Sequence, residues 1–145
     1  MKLKLSEMNP ALRARVEAAL AKADGVALPA FDIPAAGKTA GVRGPNKTEA
    51  EYNRLYLGGK GLYEALTLKL PGGSRYTPDW VTLDADAVTL HEVKGSYRFG
   101  SQGRALTAFR ECAVAFPCFA FVWACRGKAG WTVARHGAAG KAVAP

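Results

Sequence analysis

Residues 75–95 read RYTPDWVTLDADAVTLHEVKG. Both halves are apolar enough to be strands, and the acidic DAD tripeptide between them, with Asp84 and Asp86, is turn composition. A hairpin is the expected local structure, with Asp79 of its first strand beside Glu92 of its second. The period of two along a strand sets Val88, Leu90, Glu92 and Lys94 on one face and Thr89, His91 and Val93 on the other. Charges on a covered strand face are costly unless they are paired or hold a metal. Any fold the chain adopts must therefore bring Asp79, Glu92 and Lys94 to solvent, to each other or to an ion.

The flanking segments read as helices and further strands. MNPALRARVEAALAKADG predicts a first helix, with Asn9 as N-cap, Pro10 at the first helical position and Gly25 just past the end. Leu12, Val16, Ala19, Leu20 and Ala23 share its apolar face. VALPAFDIPAAGKTAGVRGPNK has no sustained period and reads as a linker or arm, whose Lys38, Arg43 and Lys47 either touch a phosphate or are simply solvated. KTEAEYNRLYLGG predicts a second helix stopped by Gly58 and Gly59, with Tyr52, Leu55 and Tyr56 as its inward stripe. At 100° per residue, Glu49 lies nearer that stripe than Glu51 does.

LYEALTLKL and RYTPDWVTL, joined by a Pro-Gly-Gly turn, predict two antiparallel strands that make a three-stranded meander with AVTLHEVKG. SYRFGSQGR is a Gly-broken loop of basic and aromatic residues. RALTAFRECAVAF predicts a third helix with Ala105, Leu106, Phe109, Cys112, Ala113 and Phe116 on one face, ended by Pro117. CFAFVWAC reads as a strand buried on both faces and GWTVAR as a last strand. The expected organisation is residues 1–45 as an N-terminal helix and Gly/Pro-rich linker, 46–136 as the core and 137–145 as a flexible tail.

A chain of 145 residues is the size of one domain. No apolar run approaches the roughly 20 residues of a membrane helix, and MKLKLSEMNP lacks the apolar centre of a secretion signal, which points to a soluble, cytoplasmic protein. The three cysteines, Cys112, Cys118 and Cys125, form no C-x-x-C pair, and the two histidines, His91 and His136, lie far apart, so buried reduced thiols are expected rather than zinc or disulfides. A net charge of +8 suggests an anionic partner. The acids concentrate between Glu49 and Glu92, inside an otherwise basic chain. That distribution suits a protein that holds phosphates and gathers cations at one spot.

Two carboxylates within a few ångström repel each other and are stable together mainly across a divalent cation. Oxygen donors without thiolates or imidazoles favour Mg2+ or Mn2+ over zinc. Pro78 has no backbone donor and would end strand pairing where Asp79 must turn toward the ion. Lys94 would sit beside the attacking water and the scissile phosphate, orienting or deprotonating the water and offsetting transition-state charge. Glu49, delivered from the helix, could bind a metal water or a second ion. Phosphodiester hydrolysis uses all four groups. Singly, an E-x-K tripeptide is commonly a salt-bridged solvent face, a Pro-Asp pair a turn and a helix glutamate solvated; the conjunction carries the inference.

YTPDW followed by HEVKG, after a helix containing KTEAE, resembles the PD-(D/E)xK nuclease superfamily, and most of all its phage-encoded junction-resolving and VRR-NUC-type endonucleases. The resemblance covers about residues 46–126. It implies an α/β (α+β) fold with a restriction-endonuclease-like core, a central mixed sheet containing an antiparallel three-strand meander and flanked by helices. It also implies Mg2+- or Mn2+-dependent cleavage of double-stranded or branched DNA, such as a four-way (Holliday) junction, in phage replication or recombination. The host cytoplasm and a homodimer are the implied setting. Asp79 and Glu92 match the metal-binding acids, Lys94 the catalytic lysine, Glu49 the helix acid, and the carbonyl of Val93 a further metal ligand. Glu51 is the alternative helix acid if the helix rotates.

Gln102 lies where some relatives carry a helix glutamine, without the tyrosine four positions on, and Arg104 is an equal candidate for a phosphate contact. Two other functions remain open at this point. One is a non-catalytic nucleic-acid-binding module gripping phosphates with Arg98, Arg104, Arg110 and the SYRFG loop. The other is a partner-binding protein that uses its N-terminal helix as a handle.

Overall fold

The computed structural model describes residues 10–21, 31–32, 44–84, 87–95 and 101–136. The helices are α1 (Pro10–Ala21), α2 (Lys47–Tyr56) and α3 (Ser101–Ala115). Strands β1 (Phe31–Asp32), β3 (Thr67–Lys69) and β4 (Arg75–Tyr76) form a small sheet in the order β1-β3-β4. Strands β2 (Leu62–Tyr63), β5 (Trp80–Leu83), β6 (Val88–Lys94), β7 (Ala120–Gly127) and β8 (Gly130–His136) form the main sheet in the order β2-β5-β6-β7-β8. Only β6 and β7 run parallel, joined through α3, so the main sheet is mixed. The protein is thus α+β, a mixed five-stranded sheet flanked by helices.

The meander survives as β2-β5-β6, but its first two strands do not run through. Tyr63 pairs with Trp80 and Leu68 with Tyr76, so residues 64–67 on one limb face residues 77–79 on the other. The odd residue is a bulge, which bends the ladder and sends the distal half of the hairpin into the small sheet. Pro78 has no N–H to offer there. Glu64 takes a φ of 42°, unusual for a residue with a side chain, and its N–H reaches the Asp79 carbonyl at 3.0 Å. The Pro-Gly-Gly turn is as expected, with the Leu70 N–H donating to the Ser74 carbonyl at 2.8 Å.

Three further expectations need correction. Phe31–Asp32, inside the segment read as a linker, pairs with Leu68 and Thr67; a two-residue strand among prolines and alanines leaves no periodic trace. Leu55 and Tyr56, read as an inward stripe with Tyr52, are each 50% exposed, because only Tyr52 sits over the sheet. Helix α3 begins at Ser101, three residues before the start expected at Arg104, so Gln102 is helical rather than in a loop. Asn9, Gly25, Lys38, Arg43, Asp86, Arg98 with the SYRFG loop, and the tail lie outside the described residues.

β6 is covered on both faces, as its buried run from Val88 to Val93 requires. Val88 and Leu90 face the larger core with Phe109 and Cys112 of α3, Phe121 of β7, and Leu12 and Val16 of α1. Val93 faces a smaller core with Tyr52 of α2, Trp80 and Ala124. Each large apolar side chain fully removed from water in this way stabilises the fold by about 1.5–3 kcal/mol. Cys112 is buried and Cys118 and Cys125 are half-buried, all as free thiols.

Gly61 ties α2 to the sheet by its lack of a side chain. A Cβ there would lie 2.7 Å from Cε3 of Trp80 and 2.8 Å from Oδ1 of Asn53. Gly61→Ala is expected to cost about 1–3 kcal/mol through overpacking, seen as a melting temperature lower by roughly 3–10 °C. An unchanged melting curve would mean that Trp80 is not held where it packs.

A candidate active site at the bend of the hairpin

The bend that ends β5 frees Asp79 from the ladder, and its side chain takes over a backbone partner. Oδ2 of Asp79 accepts the Val93 N–H at 2.7 Å, from the strand where Glu92 and Lys94 lie. Glu92 is 6% exposed. Its Oε2 accepts the Tyr76 hydroxyl at 2.8 Å and its Oε1 lies 2.6 Å from Nζ of Lys94. Glu92 and Lys94 therefore share a face, as the period of two requires, and Nζ also stands 6.0 Å from the centroid of the Trp123 ring.

The electrostatics follow from this crowding. Burial, and then the Glu92 carboxylate, push the pKa of Asp79 up to about 7, against the opposing pull of the Val93 N–H and Lys94. Burial of Lys94 acts to lower its pKa, but Glu92, Asp79 and Glu49 together outweigh it, and the ammonium is held above its ordinary value. Burial and the facing Glu92 raise the Tyr76 hydroxyl, which stays protonated and donates.

Glu49 and Glu51 are separated by their partners. Glu49 closes a capping box at the start of α2: its Oε2 accepts the Asn46 N–H at 2.9 Å, and its own N–H donates to Oδ1 of Asn46 at 2.9 Å. From there its charge still acts on Asp79 and Lys94. Glu51 instead pairs with Arg126 of β7 at 3.0 Å. That half-exposed bridge contributes about 0–1 kcal/mol. Loss of cleavage in Glu49→Gln but not in Glu51→Gln is the expected outcome, and the reverse would transfer the helix acid to Glu51.

Of the proposed phosphate contacts, Gln102 and Arg104 lie in the first turn of α3. A helix connecting two parallel strands runs back along them, so that turn belongs to the end of the sheet where β6 finishes with Lys94. Arg110 lies farther along α3, beside Leu70, Pro71 and Gly72 of the small sheet. Arg104 and Arg110 are both exposed.

The donors fit a hard cation. Among the described residues no three His, Cys, Asp or Glu side chains gather as a metal-ligand group, so the acids supply two carboxylates. A third oxygen has to come from backbone. A strand residue directs its N–H and C=O to the same neighbour; the Val93 N–H reaches Asp79, so its carbonyl points to the edge that β5 vacates at the bend. Two carboxylates and one carbonyl would suit Mg2+, which retains several waters of its own.

Sequence inspection missed Tyr76 and Glu64. Tyr76 stands between Arg75 and Thr77, and only the bend brings its hydroxyl to Glu92. Tyr76→Phe leaves Oε2 of Glu92 without that donor. It is expected to lower activity about 10- to 100-fold, as loss of an outer-shell partner does, with unchanged circular dichroism. Unaltered activity would remove Tyr76 from the site.

His91, on the other face of β6, takes no part in this cluster. It lies between Tyr52, whose hydroxyl is 3.2 Å from Nδ1, and Thr82, whose Oγ1 is 2.8 Å from Nε2. Comparison of the chain with known protein families, with characterised proteins and with solved structures returns no match.

Proposed function

We propose that the protein is a divalent-cation-dependent DNA endonuclease acting at Asp79, Glu92 and Lys94. The observation that carries this reading is the gathering of a buried carboxylate, Glu92, a half-buried one, Asp79, and a lysine at the bend of a hairpin, with Asp79 held by the Val93 N–H at 2.7 Å. The arrangement of hairpin, α3 and parallel β7 is consistent with the restriction-endonuclease-like core implied by the resemblance. The positive charge of the chain, +8, suits a polyanionic substrate.

Asp79, Glu92 and the Val93 carbonyl would hold Mg2+ or Mn2+, with Glu49 acting on the cation's water shell. The bound cation supplies Lewis acidity, lowering the pKa of water and polarising the phosphate. Glu92 is aimed by the Tyr76 hydroxyl and Nζ of Lys94. Lys94, with its raised pKa, remains an ammonium. Beside the cation it would orient or deprotonate the water and offset charge on the phosphate oxygens. One P–O bond forms from water and one P–O ester bond breaks, leaving a phosphomonoester and a hydroxyl. Gln102 and Arg104, at the start of α3, would hold the DNA backbone.

Branched DNA as the preferred substrate, phage recombination as the setting and a homodimer that cuts both strands follow from the resemblance. Incubation with supercoiled plasmid and with a four-way junction separates these substrates. Cleavage in Mg2+ that stops in chelator is expected; binding without cleavage in any divalent ion would leave a nucleic-acid-binding module.

A further inference from the structure

We propose that a second cleft, on the face of β6 opposite Glu92, binds a nucleotide, with its base against Tyr56 and its phosphate on Lys60 and Arg135. The cleft has a volume of about 390 Å3 and lies between the C-terminal end of α2 and strands β5, β6 and β8. That volume falls in the range of small-molecule sites.

Its lining combines the three elements nucleotide recognition needs. Tyr56 is 50% exposed, and its ring stacks on Tyr52 at 5.1 Å with 21° between planes, so a preformed aromatic stack presents an outer surface to a base. Lys60 and Arg135 bring two cations that form no ion pair among the described residues. Thr82 and Asp84 supply polar atoms for a base edge or sugar, and Asp84 already accepts from Thr89 at 3.1 Å.

The polar floor is fixed in advance. His91 is 5% exposed and bonded at both ring nitrogens, to Tyr52 and to Thr82. Burial, opposed by Asp84 and reinforced by Arg135, lowers the pKa of its imidazole to about 4. The ring thus holds the Thr82 hydroxyl in place without adding charge to the cleft. An aromatic face, a pair of cations and fixed hydroxyls together select a nucleotide over a bare anion, which would use the cations alone.

The test needs neither a divalent ion nor cleavage, so its failure and that of the nuclease reading are independent. The full chain, in chelator, is titrated with each of the four deoxynucleoside 5′-monophosphates and with inorganic phosphate, and followed by amide correlation spectra. At least one mononucleotide is expected to shift Tyr56, Lys60, Thr82 and Asp84 and to bind about tenfold or more tighter than phosphate. Tyr56→Ala and Arg135→Ala each weaken it about tenfold, while Arg135→Lys restores part of the loss. Equal affinity for phosphate, shifts confined to other residues, or no shift at millimolar nucleotide would overturn the proposal.

Discussion

Asp79→Asn is expected to abolish cleavage and, at pH 8, to make the protein more stable. Replacing the carboxylate would remove a ligand of the proposed cation, with a rate loss on the order of a hundred- to a thousandfold. Asparagine keeps an oxygen for the Val93 N–H, so the bend is preserved. The stability gain comes from the raised pKa, about 7 in the fold against an ordinary 3.8. Between those values the folded state keeps the Asp79 proton and the unfolded state has lost it, so stability falls as pH rises, by about 1.4 kcal/mol per unit. Above pH 7 the penalty is complete. Allowing for solvent screening, Asn removes about 1–3 kcal/mol of it, worth roughly 3–10 °C in melting temperature.

His91 makes this separable from a general effect. Its pKa is lowered to about 4 from 6.5, so its contribution is present above pH 6.5 and is lost as pH falls through about 4. Over that interval its slope is equal and opposite to that of Asp79, and in the wild type the two cancel. In Asp79→Asn the His91 slope stands alone, and stability should rise from pH 4 to 6.5. Melting curves across pH 4–8 read both; an Asn variant less stable than wild type at pH 8 would contradict the repulsion between Asp79 and Glu92.

Lys94→Ala is expected to lose activity as severely but to shift stability the other way. Glu92 is 6% exposed and Nζ of Lys94 is its cationic partner at 2.6 Å. Removing one member of a buried pair leaves an uncompensated charge and costs about 3–5 kcal/mol; the lysine side chain is 25% exposed, which places this pair at the lower end. Melting in divalent cation distinguishes the roles. A cation present at a hundred times its Kd stabilises by about 2.7 kcal/mol, and Lys94→Ala should regain stability on cation addition, whereas Asp79→Asn should not. Equal responses from the two variants would mean that Asp79 is not a ligand.

The antiparallel pairing of β5 with β6 and the shared face of Glu92 and Lys94 were legible in the sequence because they depend on local rules, a hairpin around turn residues and a period of two. The stripe of α3, from Leu106 to Phe116, was legible for the same reason. What the sequence concealed depends on distant partners. The bulge opposite Pro78 splits one hairpin between two sheets, and nothing in LYEALTLKL marks Glu64 as the residue that turns. Phe31–Asp32 is a strand only because Leu68 and Thr67 are there to pair with it. Glu49 and Glu51 stand two positions apart on α2; the helical period favours Glu49, but their partners, Asn46 and Arg126, are ones that no periodicity encodes. Tyr76 reaches Glu92 only because the bend delivers its hydroxyl there.

The cation site itself is the central claim, and anomalous scattering from crystals soaked in Mn2+ tests it most directly. A peak is expected within coordination distance, about 2.0–2.2 Å, of carboxylate oxygens of both Asp79 and Glu92, with the Val93 carbonyl as a third protein ligand and Lys94 turned toward the open side. The peak should vanish in Asp79→Asn. A peak elsewhere, or wild-type crystals in which the two carboxylates remain bound only to Val93, Tyr76 and Lys94 at saturating Mn2+, would contradict it.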